Sequence, residues 1–322
     1  MKRIAVIALW FGRLPNYFPL WVRSVKANGT FDFLLVTDQQ IAEELPENLK
    51  VLRYPISELQ QLIREKLAIN PSFSRAYKLC DYRPAFGELF ADEIHGYKFW
   101  GYCDMDVMFG QLANFVTPDI LDGYNKIFNR GHFSLYKNDP YINSLYRSSR
   151  TIDARSILES PECYIFDEWH GIHEIFNEFN LKQYHRECIA DIRPNTARLT
   201  SSNLKNYSKQ LFVWHEGSLK QYFLADGEVC STELAYIHFQ KRKITIPEPA
   251  VFNSRSVLLT ARSFLPYNGE ITAELIRKHD QPNYLHYFQR VTKVLLKRLP
   301  IAGRNPVIIN TTLTDRPLST SL

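Results

Sequence analysis

Tyr97-Lys98-Phe99-Trp100-Gly101-Tyr102-Cys103-Asp104-Met105-Asp106-Val107-Met108-Phe109-Gly110 is an aromatic-rich run with two carboxylates one residue apart. In an extended segment side chains alternate faces, so Asp104 and Asp106 point to the same side and can share one hard cation. Like charges this close repel unless a proton or a cation neutralises them, and at neutral pH a metal does so. An isolated Asp-x-Asp reads first as a solvated surface turn. The apolar, aromatic flanks set a metal site at a strand's end beside that reading as its equal.

Working outward, the segments before this run alternate between strand and helix. Ile4 to Leu9 is a continuous apolar run of the kind found in a strand buried on both faces. Trp10-Phe11-Gly12 reads as a turn and Asn16 to Lys26 as a helix that tolerates Pro19 in its first turn. Phe31 to Asp38 and Leu49 to Tyr54 read as further strands. Ser57 to Leu67 reads as a helix opened by a Ser57/Gln60 capping box, with Leu59, Leu62, Ile63 and Leu67 on one face. Asp81 is placed to cap a helix through Phe86, Leu89 and Phe90. This alternation predicts an α/β fold with a mostly parallel central sheet flanked by helices, whose ligands bind beyond the carboxyl ends of the strands.

After Gly110 the expected elements are shorter. Lys126-Ile127-Phe128 and His132 to Tyr136 read as strands around Asn129-Arg130-Gly131, and Tyr141 to Arg150 as a short helix. Val213 to Leu219 and Gln221 to Leu224 read as a meander, with Asp226-Gly227 as a turn. Tyr236-Ile237-His238 ends a strand and leads into Lys241, Arg242 and Lys243. From Tyr284 to Leu299, apolar residues recur at helical spacing opposite Arg290, Lys293 and Lys297, giving a basic amphipathic helix that either packs on the domain or rests on anionic lipid. A polar tail follows Pro300.

Composition narrows the function classes. The chain has 322 residues and a net charge of +5, which suits phosphate-bearing or anionic partners without calling for nucleic acid. No apolar run reaches the ~18 residues of a membrane span. The start, Met1-Lys2-Arg3 and a short apolar run broken at Gly12-Arg13, reads as a first core strand and not as a signal peptide. Five cysteines, scattered and without a Cys-x-x-Cys pair, point to a reducing cytosol and away from a zinc ribbon or a disulfide framework.

Two carboxylates leave most of a divalent ion's shell open, and diphosphate oxygens are natural further ligands. His238 is the candidate third protein ligand, and imidazole beside carboxylates favours manganese over magnesium. Lys241 and Lys243 compete for a phosphate role. Asp167 and Glu168, in an acidic and aromatic cluster, are the catalytic candidates, although acids in the first turn of a helix would look the same.

These residues carry a resemblance. Asp104-Met105-Asp106 after a buried strand resembles the Asp-x-Asp motif of metal-dependent GT-A glycosyltransferases, and Tyr236-Ile237-His238-Phe239-Gln240-Lys241 resembles the His and Lys element of several retaining members. Lys78 to Pro84 together with Gly101 to Gly110 is similar to bacterial glycosyltransferases of capsule and O-antigen synthesis. The resemblance implies a GT-A (Rossmann-like) catalytic domain over 1–250, with a nucleotide-sugar half at about 1–110 and an acceptor half at about 111–250. A C-terminal helical extension occupies 251–322. It implies Mn2+ or Mg2+ held by Asp104, Asp106 and His238, and a nucleotide-sugar donor, foremost a UDP-sugar. Trp10, Phe11 and Asp38 would seat base and ribose, and Lys78 and Arg83 would contact phosphate or donor sugar. The implied activity is a retaining hexosyltransferase acting on a glycan or lipid-linked glycan; cysteine usage points to the cytoplasm, and 284–299 either touches the membrane peripherally or packs on the domain. Two other readings stay open: a haloacid-dehalogenase-like sugar phosphatase with Asp104 as nucleophile, and a non-catalytic subunit of a membrane-associated synthase.

Overall fold

A computed structural model describes residues 4–72, 76–240 and 242–298. In chain order its strands are β1 (Ile4–Trp10), β2 (Phe31–Thr37), β3 (Leu49–Arg53), β4 (Phe99–Cys103), β5 (Val107–Phe109), β6 (Lys126–Arg130), β7 (Phe133–Lys137) and β8 (Gln183–Tyr184). They continue with β9 (Ile189–Asp191), β10 (Gln210–His215), β11 (Ser218–Ala225), β12 (Glu228–Leu234), β13 (Tyr236–His238), β14 (Ser256–Leu259) and β15 (Phe264–Tyr267).

The main sheet has the order β3-β2-β1-β4-β7-β6-β8. Strands β3, β2, β1 and β4 run parallel, β7 is antiparallel to β4, and β6 is again parallel to β8. This is the mostly parallel central sheet flanked by helices that the alternation of strands and helices predicts. The continuous apolar sequence of β1 follows from its central place, with both faces covered: Ile4, Ala5, Val6, Ile7 and Ala8 are all buried. Helix α1 (Phe18–Lys26) covers one face with Phe18, Trp21 and Val25. Helix α2 (Ile56–Leu67) covers the other with Leu59, Ile63 and Leu67. Each such buried side chain contributes roughly 1.5–3 kcal/mol.

Helix α2 begins one residue earlier than expected, with Pro55 at its N-cap and no side-chain cap, so the Ser57/Gln60 capping box does not form. Asp81 caps no helix either. It lies inside a run of 3-10 turns, Ala76–Ala85, that continues into the short helix Phe86–Leu89.

A second sheet, β12-β11-β10-β14-β15, is antiparallel throughout. Its hairpin turns, Glu216-Gly217 and Asp226-Gly227, have positive φ at both central residues, as a two-residue turn matching strand twist requires. Strands β14 and β15 lie beyond residue 250 and pair into this sheet through β10.

A third, short sheet, β5-β13-β9, joins the layers. Strand β13 is antiparallel to β5, with His238 opposite Val107, and parallel to β9, with His238 opposite Asp191. Among the described residues no helix is long and apolar enough to cross a membrane.

The helix Tyr284–Arg298 matches the expected span 284–299 except for Leu299, which lies outside the described residues, as does the expected tail. Only one side of it docks: His286 is buried and its ring meets the Pro194 carbonyl oxygen at 2.9 Å. Leu285 (70% exposed) and Phe288 (61%) face outward with Leu295 and Leu296, while Val291 and Val294 of the same stripe are half-buried, so the stripe is only partly covered.

Candidate functional site

Strands β1, β2 and β4 run the same way, so their carboxyl ends share one rim, where Trp10, Thr37 and Cys103 are the last strand residues. The chain leaves β4 through Asp104-Met105-Asp106. Met105 turns inward and is buried, while both aspartates line a cavity of about 470 Å³. Antiparallel β7 starts where β4 ends, with Cys103 opposite Phe133, which brings His132 to the same rim. The Asp104 amide donates to the His132 carbonyl oxygen at 3.0 Å.

The register of β13 delivers the third ligand candidate. His238 Nε2 lies 3.3 Å from Asp106 Oδ1 and 3.8 Å from Asp104 Oδ2. Its other ring nitrogen, Nδ1, lies 2.9 Å from Asp191 Oδ1, which also accepts from Gln240 Nε2 at 2.7 Å. A carboxylate on one imidazole nitrogen fixes the ring and leaves the other for a metal. Burial disfavours the charged ring, but Asp106 and Asp191 outweigh it and raise the His238 pKa to about 10. Burial raises the Asp106 pKa against the opposing pull of His238. Without a cation, the imidazolium proton is what neutralises these carboxylates.

The donor set fits a hard divalent ion of intermediate softness. Asp104, Asp106 and His238 each offer one ligand atom within 4.8 Å of the others, and cis ligands around an ion with bonds of ~2.1 Å lie about 3 Å apart. Asp104 is shared without conflict: its Oδ1 pairs with Arg83 Nη2, and its Oδ2 faces His238.

Arg83 reaches onward. Its Nη1 donates to Asp167 Oδ2 at 2.7 Å and to the Gly131 carbonyl oxygen at 2.6 Å. Burial raises the Asp167 pKa to about 7 although Arg83 pulls the other way, and burial with Asp104 raises that of Glu168. The chain approaches closely at Gly131, where a Cβ would lie 2.8 Å from Glu168 Cγ and 3.1 Å from Asp167 Oδ2 and so would displace the Glu168 side chain. A bulge in β6, with Phe128 at φ +63°, redirects the chain into this position. The amine of Lys126 donates to the Phe128 carbonyl oxygen at 2.7 Å, and burial lowers the Lys126 pKa to about 7.

His132 completes the group, stacked on His238 with ring centroids 4.2 Å apart and its Nδ1 3.0 Å from the Tyr236 hydroxyl. His132 Nε2 and Asp167 Oδ1 are buried and meet no hydrogen-bonding partner among the described residues. Orphaned polar atoms beside a polar cavity are expected where a ligand supplies the missing bonds.

The other expected residues divide. Trp10 and Phe11 line the cavity together with Arg83, Asp104, Asp106, Asp167, Glu168 and His238. Asp38 does not line it; its Oδ1 accepts from the Gly12 amide at 2.8 Å and so braces the Trp10–Gly12 turn. Lys78 does not reach it either. Only 2% exposed, Lys78 is ion-paired with Asp81 at 2.8 Å and donates to the Ile157 and Glu162 carbonyl oxygens, because a buried ammonium must satisfy all its donors. Lys243 is exposed and lies against a different, small pocket beside Thr260 and Phe264. Lys241 lies outside the described residues.

Sequence reading missed Asp191, His132 and the bridging role of Arg83. The phosphatase alternative wants its aspartate after the first strand, whereas Asp104 follows β4, and one of its oxygens is held by Arg83.

Fold and site together define an α/β protein with a mostly parallel sheet and a carboxylate–imidazole cation group at its rim. Residues 6–268 match the family described as a family of unknown function (DUF6625), and the chain belongs to that family. No curated protein matches the chain. Among solved structures, the crystal structure of mouse xyloside xylosyltransferase 1 in its apo form is similar with a TM-score of 0.31 and 10% identity, over 60% of this chain and 87% of that one.

Proposed function

We propose that the chain is a metal-dependent glycosyltransferase that moves a sugar from a nucleotide-diphosphate donor to a glycan acceptor. The observation that carries this reading is the convergence of Asp104, Asp106 and His238 on a cavity at the carboxyl rim of the parallel strands, beside Trp10 and Phe11. Mn2+ or Mg2+ would be held by Asp104, Asp106 and His238, where it supplies positive charge to a departing diphosphate.

The chain's own groups take the remaining roles. Trp10 and Phe11 offer aromatic surface to the base, and Asp38 keeps their turn in place. Arg83 holds Asp104 and Asp167 in register. Asp167, made more basic by burial, and the exposed Glu168 beside it would receive the proton of an acceptor hydroxyl or stabilise charge at the anomeric carbon. In its finer form the reading is transfer of a hexose from a UDP-sugar with retention. The acceptor is a glycan or lipid-linked glycan of the kind that the bacterial surface-polysaccharide glycosyltransferases, which 78–84 and 101–110 resemble, act on. The outward apolar stripe of 284–298 supports peripheral contact with an anionic membrane on the cytoplasmic face.

The test is thermal unfolding with nucleoside diphosphates and Mn2+, followed by a panel of nucleotide sugars assayed for metal-dependent hydrolysis. A ligand at about a hundred times its Kd adds ~2.7 kcal/mol. Asp104→Asn and Asp106→Asn should abolish both effects while the circular dichroism spectrum is unchanged. Hydrolysis that survives both substitutions would overturn the proposal.

A further inference from the structure

At the mouth of the cavity, Cys80 Sγ and Cys163 Sγ lie 3.3 Å apart. Cys80 lines the cavity and Cys163 is exposed. The sulfurs are not what brings them together. Lys78 Nζ donates to the Glu162 carbonyl oxygen at 2.5 Å and to that of Ile157 at 2.7 Å. Asp81 accepts from the Tyr164 amide at 2.9 Å and the Phe166 amide at 2.8 Å. Cys80 therefore sits between two residues, Lys78 and Asp81, that are tied to both flanks of Cys163. Ile165, a β-branched residue held at φ +56°, lies between the two amides that Asp81 accepts, so the loop is kept in a strained shape by bonds that do not involve the thiols.

Two thiols fixed this way are preorganised for a covalent bond, since closing to a bonding distance of ~2 Å takes a shift of about 1 Å. Asp81 is committed to Lys78 and two amides, which argues against a metal ion bridging the sulfurs. Cys163 is exposed where Cys80 is half-buried, so a dissolved disulfide meets Cys163 first, and the hydrogen bond that pushes Cys80 up draws Cys163 down to about 7, which favours its thiolate.

We propose that Cys80 and Cys163 form a thiol–disulfide exchange site for low-molecular-mass disulfides of the glutathione class. The Cys163 thiolate attacks one sulfur of glutathione disulfide, forming a mixed disulfide and releasing one glutathione thiolate. Cys80 then attacks Cys163 Sγ, giving its proton to solvent, closes the Cys80–Cys163 bond and releases the second glutathione. The protein thiols lose two electrons and two protons, and the glutathione disulfide is reduced to two thiols. The product ties the Ala76–Ala85 turns covalently to the loop that carries Asp167 and Glu168. This inference does not depend on glycosyl transfer.

The experiment treats the full chain with glutathione disulfide, alkylates the remaining thiols and maps peptides by mass spectrometry without reduction. The expected result is one cross-linked pair joining Cys80 and Cys163, a chain about 2 Da lighter, and reversal by dithiothreitol. Cys80→Ser should halt at a stable glutathione adduct on Cys163, and Cys163→Ser should form neither species. The proposal is overturned by a stable adduct on Cys163 of the native chain with Cys80 still free. It is equally overturned by no reaction where an unstructured cysteine peptide reacts, or by cross-links spread over Cys103, Cys188 and Cys230.

Discussion

Asp191 Oδ1 and His238 Nδ1 face each other at 2.9 Å across the parallel pairing of β9 and β13. Asp191 is thus the residue that sets which imidazole nitrogen is turned toward Asp104 and Asp106. Asp191→Asn keeps the shape but loses the carboxylate, and loss of such a partner lowers metal affinity by about 10–100-fold. Calorimetric titration with Mn2+ measures this, and an unchanged affinity would remove Asp191 from the site.

Arg83 joins Asp104 to Asp167. Arg83→Met leaves the buried Asp167 without its cation, and because burial already holds that carboxyl near 7 it responds by taking up a proton, so the cost is that of an unpaired buried polar group, about 1–3 kcal/mol. Urea unfolding at neutral pH should show a loss of this order, and Arg83→Lys, which cannot bridge both carboxylates with a planar fork, should recover only part of it.

Lys126 gives a pH-dependent prediction. Its folded pKa is lowered to about 7, whereas an unfolded lysine keeps its proton to about 10.4. Between these values the unfolded state binds more protons, so stability rises with pH, by at most about 1.4 kcal/mol per unit from this group. Lys126→Met abolishes that slope. Unfolding free energies of native and variant chains at pH about 6, 8 and 9 should therefore show the native chain gaining on the variant only above the folded pKa. A constant difference would mean that Lys126 is not neutral in the folded chain.

Gly131→Ala places a methyl group against Glu168 and Asp167. Overpacking of this kind costs about 1–3 kcal/mol. Its specific sign would be weaker nucleotide-dependent stabilisation beyond the loss in basal stability, because the displaced groups border the cavity.

What the sequence revealed of the site follows its locality. Asp104 and Asp106 were legible because two acids at a spacing of two close the buried run of β4, although the chain bends there and does not stay extended, and His238 because it ends an apolar strand. Asp191 carries no local signal; its role comes from a parallel register between β9 and β13, distant in sequence. Lys78 was misassigned to the ligand although Asp81, three residues on, is its partner. That spacing is a standing hint of an internal ion pair. The parallel core was legible from the apolar run of β1, while the sequence left open whether the helix 284–298 packs or rests on lipid, because amphipathicity says which side is apolar, not which side is covered.

The three residues of β13 also govern when the site exists during synthesis. Both aspartates leave the ribosome long before His238, and β5 has no antiparallel partner in its sheet until β13 arrives. Closing so long a loop makes this a late event in folding. A chain halted before residue 236 would carry Asp104 and Asp106 without the His238 imidazole, so the three-residue group proposed to hold the cation would be assembled only once β13 has been made.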